Sequence, residues 1–179
     1  MTLYAAVTGA PTQLAQGRTD GRGAFKLTYG GAPADSVLYV IARGGTPKAA
    51  ADKGPNDAIA LLAVLGGTAP NSVVVNELSA IASVWIAAQF LKGEALSGTK
   101  LGLRIAAGNV PNLVDLETGG LGPVIQDPLN SSQTSTLATF STLGDLLAGC
   151  ITRVQNDACD KLFAAATPPG GVARSSDRN

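Results

Sequence analysis

The stretch Val37-Leu38-Tyr39-Val40-Ile41-Ala42-Arg43-Gly44-Gly45-Thr46-Pro47 decides the fold class. Its first six residues are continuously apolar, of strand length and rich in β-branched and aromatic side chains. That pattern suits a strand buried on both faces. The Gly-Gly-Thr-Pro that follows is a break, and beyond it the hydrophobic period changes. On the N-terminal side, Leu3, Ala5 and Val7 alternate with polar or small neighbours, as do Phe25, Leu27 and Tyr29 with Lys26 and Thr28. Both runs read as strands. Asp20-Gly21-Arg22-Gly23 is a turn signal, because glycine supplies positive φ and aspartate bonds its own backbone. Residues 1–45 are therefore expected to form a small antiparallel β-sheet.

Residues 46–55, rich in Ala, Lys and Gly, read as a linker, and residues 56–167 as an all-α bundle of four to five helices. Asn56 and Asp57 are placed to cap a helix over Ala58 to Leu65 that stops at Gly66-Gly67. Asn76 followed by Glu77 opens the strongest helical pattern, running to about Leu91, with Leu78, Ile81, Trp85 and Ala88 on one stripe. The stripe places Trp85 in the core. A weaker helix follows Thr99, and Pro111 is expected to break or restart it. Gly119, Gly120, Gly122, Pro123 and Pro128 mark residues 116–133 as a long irregular loop. Leu137, Phe140, Leu147 and Ile151 form another stripe on a helix ending near Cys150, and a last short helix spans about Ala158 to Ala166. Residues 168–179 read as a linker and a polar, disordered tail. Strands followed by helices argue α+β, not a parallel α/β sheet.

Composition excludes several functions. Thirteen Lys+Arg balance thirteen Asp+Glu, which leaves no basic footprint for nucleic acid or an anionic membrane. There is no histidine, so a Ser-His-Asp triad, a Cys-His pair and His-ligated metals are all absent. No metal or cofactor is implied. The longest apolar stretch, Ser79 to Leu91, is too short for a bilayer span. The 29 alanines and 22 glycines require a closely packed core of small and aliphatic side chains. Cys150 and Cys159 are too few for a structural zinc site. Their expected state is a disulfide joining the end of one helix to the start of the next, with two reduced buried thiols as the alternative. A bridge would place the chain in an oxidising compartment, secreted or at the cell surface. No signal-peptide pattern opens the sequence, so export would depend on a segment this chain does not carry.

Thr19-Asp20-Gly21-Arg22-Gly23-Ala24-Phe25 resembles the T-D-x-x-G-x-F hairpin of carboxypeptidase-regulatory-like (prealbumin-like) β-sandwich modules. Such modules usually begin with a further strand, so the resemblance implies a sandwich one strand short, with an exposed sheet edge. The remainder is similar to a helical segment of secreted bacterial proteins that often precedes an NHL-type β-propeller. The similar stretches are Leu38 to Gly45, Val75-Asn76-Glu77-Leu78-Ser79, Asn112-Leu113-Val114-Asp115, and Leu146 to Cys150 with Cys159 to Phe163. The resemblance implies export and a structural cysteine pair, and it brings no catalytic residues.

Without histidine, catalysis would rest on carboxylates or a Ser-Lys pair. Ser97-Gly98-Thr99-Lys100 is a formal S-x-x-K, in which the lysine deprotonates a serine one turn away, but no K-T-G element accompanies it. The plainer reading is a helix start capped by Ser97 or Thr99. The same region fails as a phosphate loop, because its lysine comes one residue late and no hydroxyl follows. Glu77, Glu94, Asp115, Glu117 and Asp127 are the carboxylates near helix ends and the Gly/Pro-rich loop, and a glycoside hydrolase needs two of them about 5–9.5 Å apart. Glu77 reads equally as a first-turn acid facing the helix dipole. Asp115 and Glu117 would point apart on a helix. Two functions follow. The first is a non-catalytic, structural or adhesive module of an exported protein, binding another chain through its sheet edge or a polysaccharide. The second is a small hydrolase acting on a glycoside or ester.

Overall fold

The computed structural model describes residues 1–171, so the expected tail over 173–179 lies outside the described residues. The fold is α+β. Strand β3 (Val37–Arg43) is central, as its apolar run requires, with its first five residues all buried. It pairs antiparallel with β1 (Thr2–Ala6) on one side and β4 (Ala60–Gly66) on the other, and β2 (Thr12–Gln16) flanks β1. The sheet order is β2-β1-β3-β4.

One face of the sheet presents Ala6, Val37, Tyr39, Ile41, Leu62 and Val64 to the helices, and these join Ala82, Leu103, Val110 and Phe140 in a single core. The opposite face carries Leu3, Ala5, Leu38 and Val40. Among the described residues no second sheet covers it. Leu27, Tyr29, Ala69 and Val75 from irregular segments pack there instead, beside Leu65 of β4.

The helices are α1 (Glu77–Ala87), α2 (Lys100–Leu113), α5 (Thr136–Ile151) and α6 (Ala158–Ala165), with single-turn α3 (Pro123–Gln126) and α4 (Pro128–Ser131) between α2 and α5. A 3₁₀ segment, Lys48–Lys53, precedes β4, and a minimal hairpin of β5 (Leu91–Lys92) and β6 (Ala95–Leu96) links α1 to α2.

Several expectations need correction. The run from Ala58 to Leu65 is not a helix but contains most of β4. An eight-residue apolar run suits a buried strand as well as a helix, and the open edge of β3 decides in favour of the strand. The sheet thus draws one strand from beyond residue 45. Phe25 to Tyr29 pairs with no strand; Leu27 and Tyr29 turn down as a roof on the outer sheet face. Pro111 does not break α2, because it falls in the last turn, and Val114 N–H closes the helix on the Val110 carbonyl at 3.2 Å. Residues 116–133 are more ordered than expected: Val114 bridges Leu121, and Pro123 and Pro128 open α3 and α4 at the position where a missing N–H costs nothing.

Trp85 is not core; it is 44% exposed and tilts against Phe140 with ring centroids 6.3 Å apart. The buried face of α1 is instead the small one, Ser79, Ala80, Ala82, Ser83 and Ala87. Small side chains let the helix lie close on β4, close enough for Val64 N–H to donate to Ser83 Oγ at 2.9 Å. That bond satisfies an outward-facing N–H of an edge strand. Asn76 caps α1 as expected, accepting from Ser79 N–H while Ser79 Oγ accepts from Asn76 N–H, both at 2.9 Å.

Candidate functional site

A concave surface lies on the outer sheet face. A cavity of about 710 Å³ spans the ends of β1, β2 and β3, between Thr2, Gln16, Ile41 to Gly45 and the segment Val73–Val75. A second, of about 550 Å³, lies over Leu3, Val40 and Leu65 beneath Phe25, Leu27 and Tyr29. Gly23, Phe25 and Val73 line both, so the two adjoin as one groove.

The walls are held by local bonds that the sequence encodes. Asp20 Oδ1 accepts from Arg22 N–H at 2.8 Å and Ala24 N–H at 3.0 Å, and Asp20 N–H donates to the Ala24 carbonyl at 2.8 Å. This is the turn that Asp20-Gly21-Arg22-Gly23 announces, with Gly23 at φ 85°. Gly17 N–H donates to the Met1 carbonyl at 2.9 Å and anchors to β1 the irregular strap of residues 17–29 that carries Phe25, Leu27 and Tyr29. The far wall is fixed where Val74 N–H donates to the Leu116 carbonyl at 2.8 Å. The charged side chains lining the groove are Arg18, Lys26 and Arg43, and no Asp or Glu is among its described lining residues. Arg43 is ion-paired with Glu94.

Strand β2 borders this groove and is a sheet edge. It is short and polar, and the register shift between Leu3 and Tyr4 leaves Leu14 as an extra, bulged residue. Such features discourage indiscriminate edge-to-edge pairing.

The candidate catalytic groups are dispersed. Thr99, not Ser97, caps α2, accepting from Gly102 N–H at 3.2 Å. Lys100 Nζ donates to Asp35 Oδ2 at 3.1 Å, and both side chains are exposed. Ser97 therefore has no lysine at hydrogen-bond distance. Glu77 is the first residue of α1 and shares a shallower cavity of about 370 Å³ with Asp145, Ser141 and Leu121. Asp115 organises its own loop. Its carboxylate accepts from Thr118 Oγ1 at 2.8 Å and Glu117 N–H at 2.9 Å, which hold it below the usual carboxylate range. Glu117 is exposed beside it. Asp127 caps α4 by accepting from Leu129 N–H at 2.9 Å. The structure brings none of the five acids named from the sequence into the large groove. That Glu77 and Asp145 line one cavity needed the tertiary fold, since the two are 68 positions apart in sequence.

Tyr39 is buried, with its ring stacked on Tyr4 at 5.2 Å, and its hydroxyl accepts from Leu96 N–H at 3.4 Å. Burial above all pushes this phenol up. Among the described residues no group of three or more His, Cys, Asp or Glu could hold a metal ion. Cys150 and Cys159 form a disulfide between the end of α5 and the start of α6, with Cα atoms 4.4 Å apart. No helix among the described residues is long and apolar enough to cross a membrane.

No family model, curated protein or solved structure matches this chain. The site must therefore be read from its own geometry. Sequence reasoning missed the groove because its floor and roof come from segments as distant as Leu3, Phe25, Leu61 and Val73. The one local signal was the Asp20 turn that shapes its wall.

Proposed function

We propose that the chain is a non-catalytic binding module of an exported protein, working through the groove on its outer sheet face. The observation that carries this reading is the separation of concavity from chemistry. The large groove is lined by apolar side chains, backbone, neutral polar groups such as Gln16, Thr19 and Asn71, and cations, with no Asp or Glu among its described lining residues. The disulfide fits an extracellular setting. The resemblance to prealbumin-like modules of secreted bacterial proteins agrees with that setting.

A second reading, a histidine-free hydrolase, is favoured by one observation: Glu77 and Asp145 line a common cavity with Ser141. The two readings separate in a substrate panel of chromogenic esters, glycosides, a β-lactam and polysaccharides. The module reading expects no turnover above buffer. Turnover lost in Glu77→Gln or Asp145→Asn would establish the hydrolase, and turnover lost in Ser97→Ala would establish a serine nucleophile.

A further inference from the structure

Resting on the binding-module reading, we infer that the occupant of the groove is an extended, acidic segment of a partner protein chain. Each of the two cavities, about 710 and 550 Å³, is by itself the size of a small-ligand site. They share the lining residues Gly23, Phe25 and Val73, so one occupant reaching both would run from one cavity to the next as a chain rather than sit as a compact ligand.

The charge of the occupant follows from the lining. Arg18 and Lys26 are exposed and have no carboxylate partner among the described residues, whereas Arg43 is already neutralised by Glu94. The protein as a whole is uncharged, so this excess of cations is local to the groove. A segment bearing Asp or Glu would supply the missing counter-charge, and apolar residues between the acids would meet Leu3, Val40 and Leu65 on the floor.

A polypeptide is favoured over an anionic polysaccharide by the neighbouring strand edge. The outer side of β2 makes no backbone hydrogen bond among the described residues, and Gln16 and Gly17 at its end already line the groove. A peptide laid there can exchange N–H and C=O bonds with the edge, which a sugar chain cannot do as a ladder. The bulge at Leu14 shortens that ladder, so the side-chain contacts and the cations must select the partner.

The test uses the isotopically labelled chain and a capped peptide of about ten residues alternating Val and Glu, long enough to span the groove when extended. Its comparison probes are the Val-Lys counterpart and an oligogalacturonate. The expected result is saturable amide shifts at Gln16, Gly17, Gly23 and Val73 with the Val-Glu peptide, and none with the Val-Lys peptide. The double variant Arg18→Glu with Lys26→Glu alters only exposed side chains. It should keep the parent's dispersed spectrum and weaken binding by at least about tenfold. No saturable shift up to about 1 mM peptide would overturn the inference. So would an equal response to the Val-Lys peptide, or saturation by the oligogalacturonate alone. Turnover in the substrate panel that this double variant leaves intact would instead defeat the module reading.

Discussion

Asn56 Nδ2 donates to the carbonyl oxygen of Ile151 at 2.9 Å, across 95 positions of sequence, and to that of Cys150 at 3.2 Å. The residue expected to start a helix of its own instead finishes another. Its Oδ1 accepts from Ala58 N–H at 3.1 Å, so one buried amide both shapes the entry to β4 and caps α5. Around it, Arg153 Nη2 donates to the Lys53 and Gly54 carbonyls at 2.7 and 2.6 Å, while Lys53 Nζ bonds the Thr152 and Arg153 carbonyls. The segment read as a linker is thereby clasped to the end of the helical layer.

Asn56→Ala should therefore cost about 1–3 kcal/mol, the penalty for leaving the buried Ile151 carbonyl unsatisfied, since Arg153 N–H still donates to that of Cys150. Chemical denaturation followed by circular dichroism measures it. Asn56→Asp should be worse at neutral pH, because its carboxylate would face two carbonyl oxygens with nothing to donate.

Replacing both Cys150 and Cys159 by serine opens a loop of about ten residues and should lower stability by roughly 2.5–3 kcal/mol. The loss has a distinct location. Cys159 is the only buried residue of α6, whereas the end of α5 keeps its Asn56 cap. Hydrogen exchange should accelerate over Ala158–Ala165 well before it does over the last turn of α5. Equal acceleration across both helices would show that the bridge supports the whole bundle.

Gly122 packs where a Cβ would lie 2.4 Å from the Pro111 carbonyl oxygen and 2.8 Å from that of Asn112. Backbone cannot yield as a flexible side chain can, so Gly122→Ala should be strongly destabilising, by about 2–4 kcal/mol. Gly108 has nothing within 4 Å and lies exposed on α2, so Gly108→Ala should leave stability unchanged or raise it by up to about 1 kcal/mol. Thermal melts of the two variants make the comparison.

Asp115 has its carboxyl pKa depressed chiefly by the Thr118 hydroxyl, then by the Glu117 N–H. A carboxylate with a lowered folded-state pKa stabilises the fold above its unfolded value, and that contribution disappears as pH falls through the folded value. A carbon-detected NMR titration should place the Asp115 midpoint below the ordinary value of about 3.9. Thr118→Ala should move it upward. An unchanged midpoint in that variant would show that the hydroxyl does not hold the charge.

How much of this was legible in the sequence depends on the range of each interaction. Local signals read true: the apolar run of β3, the Asn76 cap and the Asp20 turn each act within a few residues, and of the two caps offered for α2, Ser97 or Thr99, Thr99 is used. The end of α5 and the start of α6 were likewise placed by Cys150 and Cys159. Non-local choices did not. Ala60–Gly66 is a strand because β3 offers an edge, and nothing in LLAVL states that. Trp85 is exposed because α1 turns its serine and alanine face inward, where Ser83 accepts from Val64 N–H. The polar segment Thr12–Gln16 carries too little alternation to announce β2. The groove follows the same rule, for it exists only once the strap and the sheet have met.

The central claim, binding without chemistry, is tested most directly by the substrate panel on the purified parent protein, with Ser97→Ala, Glu77→Gln and Asp145→Asn alongside. The account predicts no turnover with any ester, glycoside, β-lactam or polysaccharide, in the parent or the variants. Turnover by the parent that any one of these substitutions abolishes would contradict it.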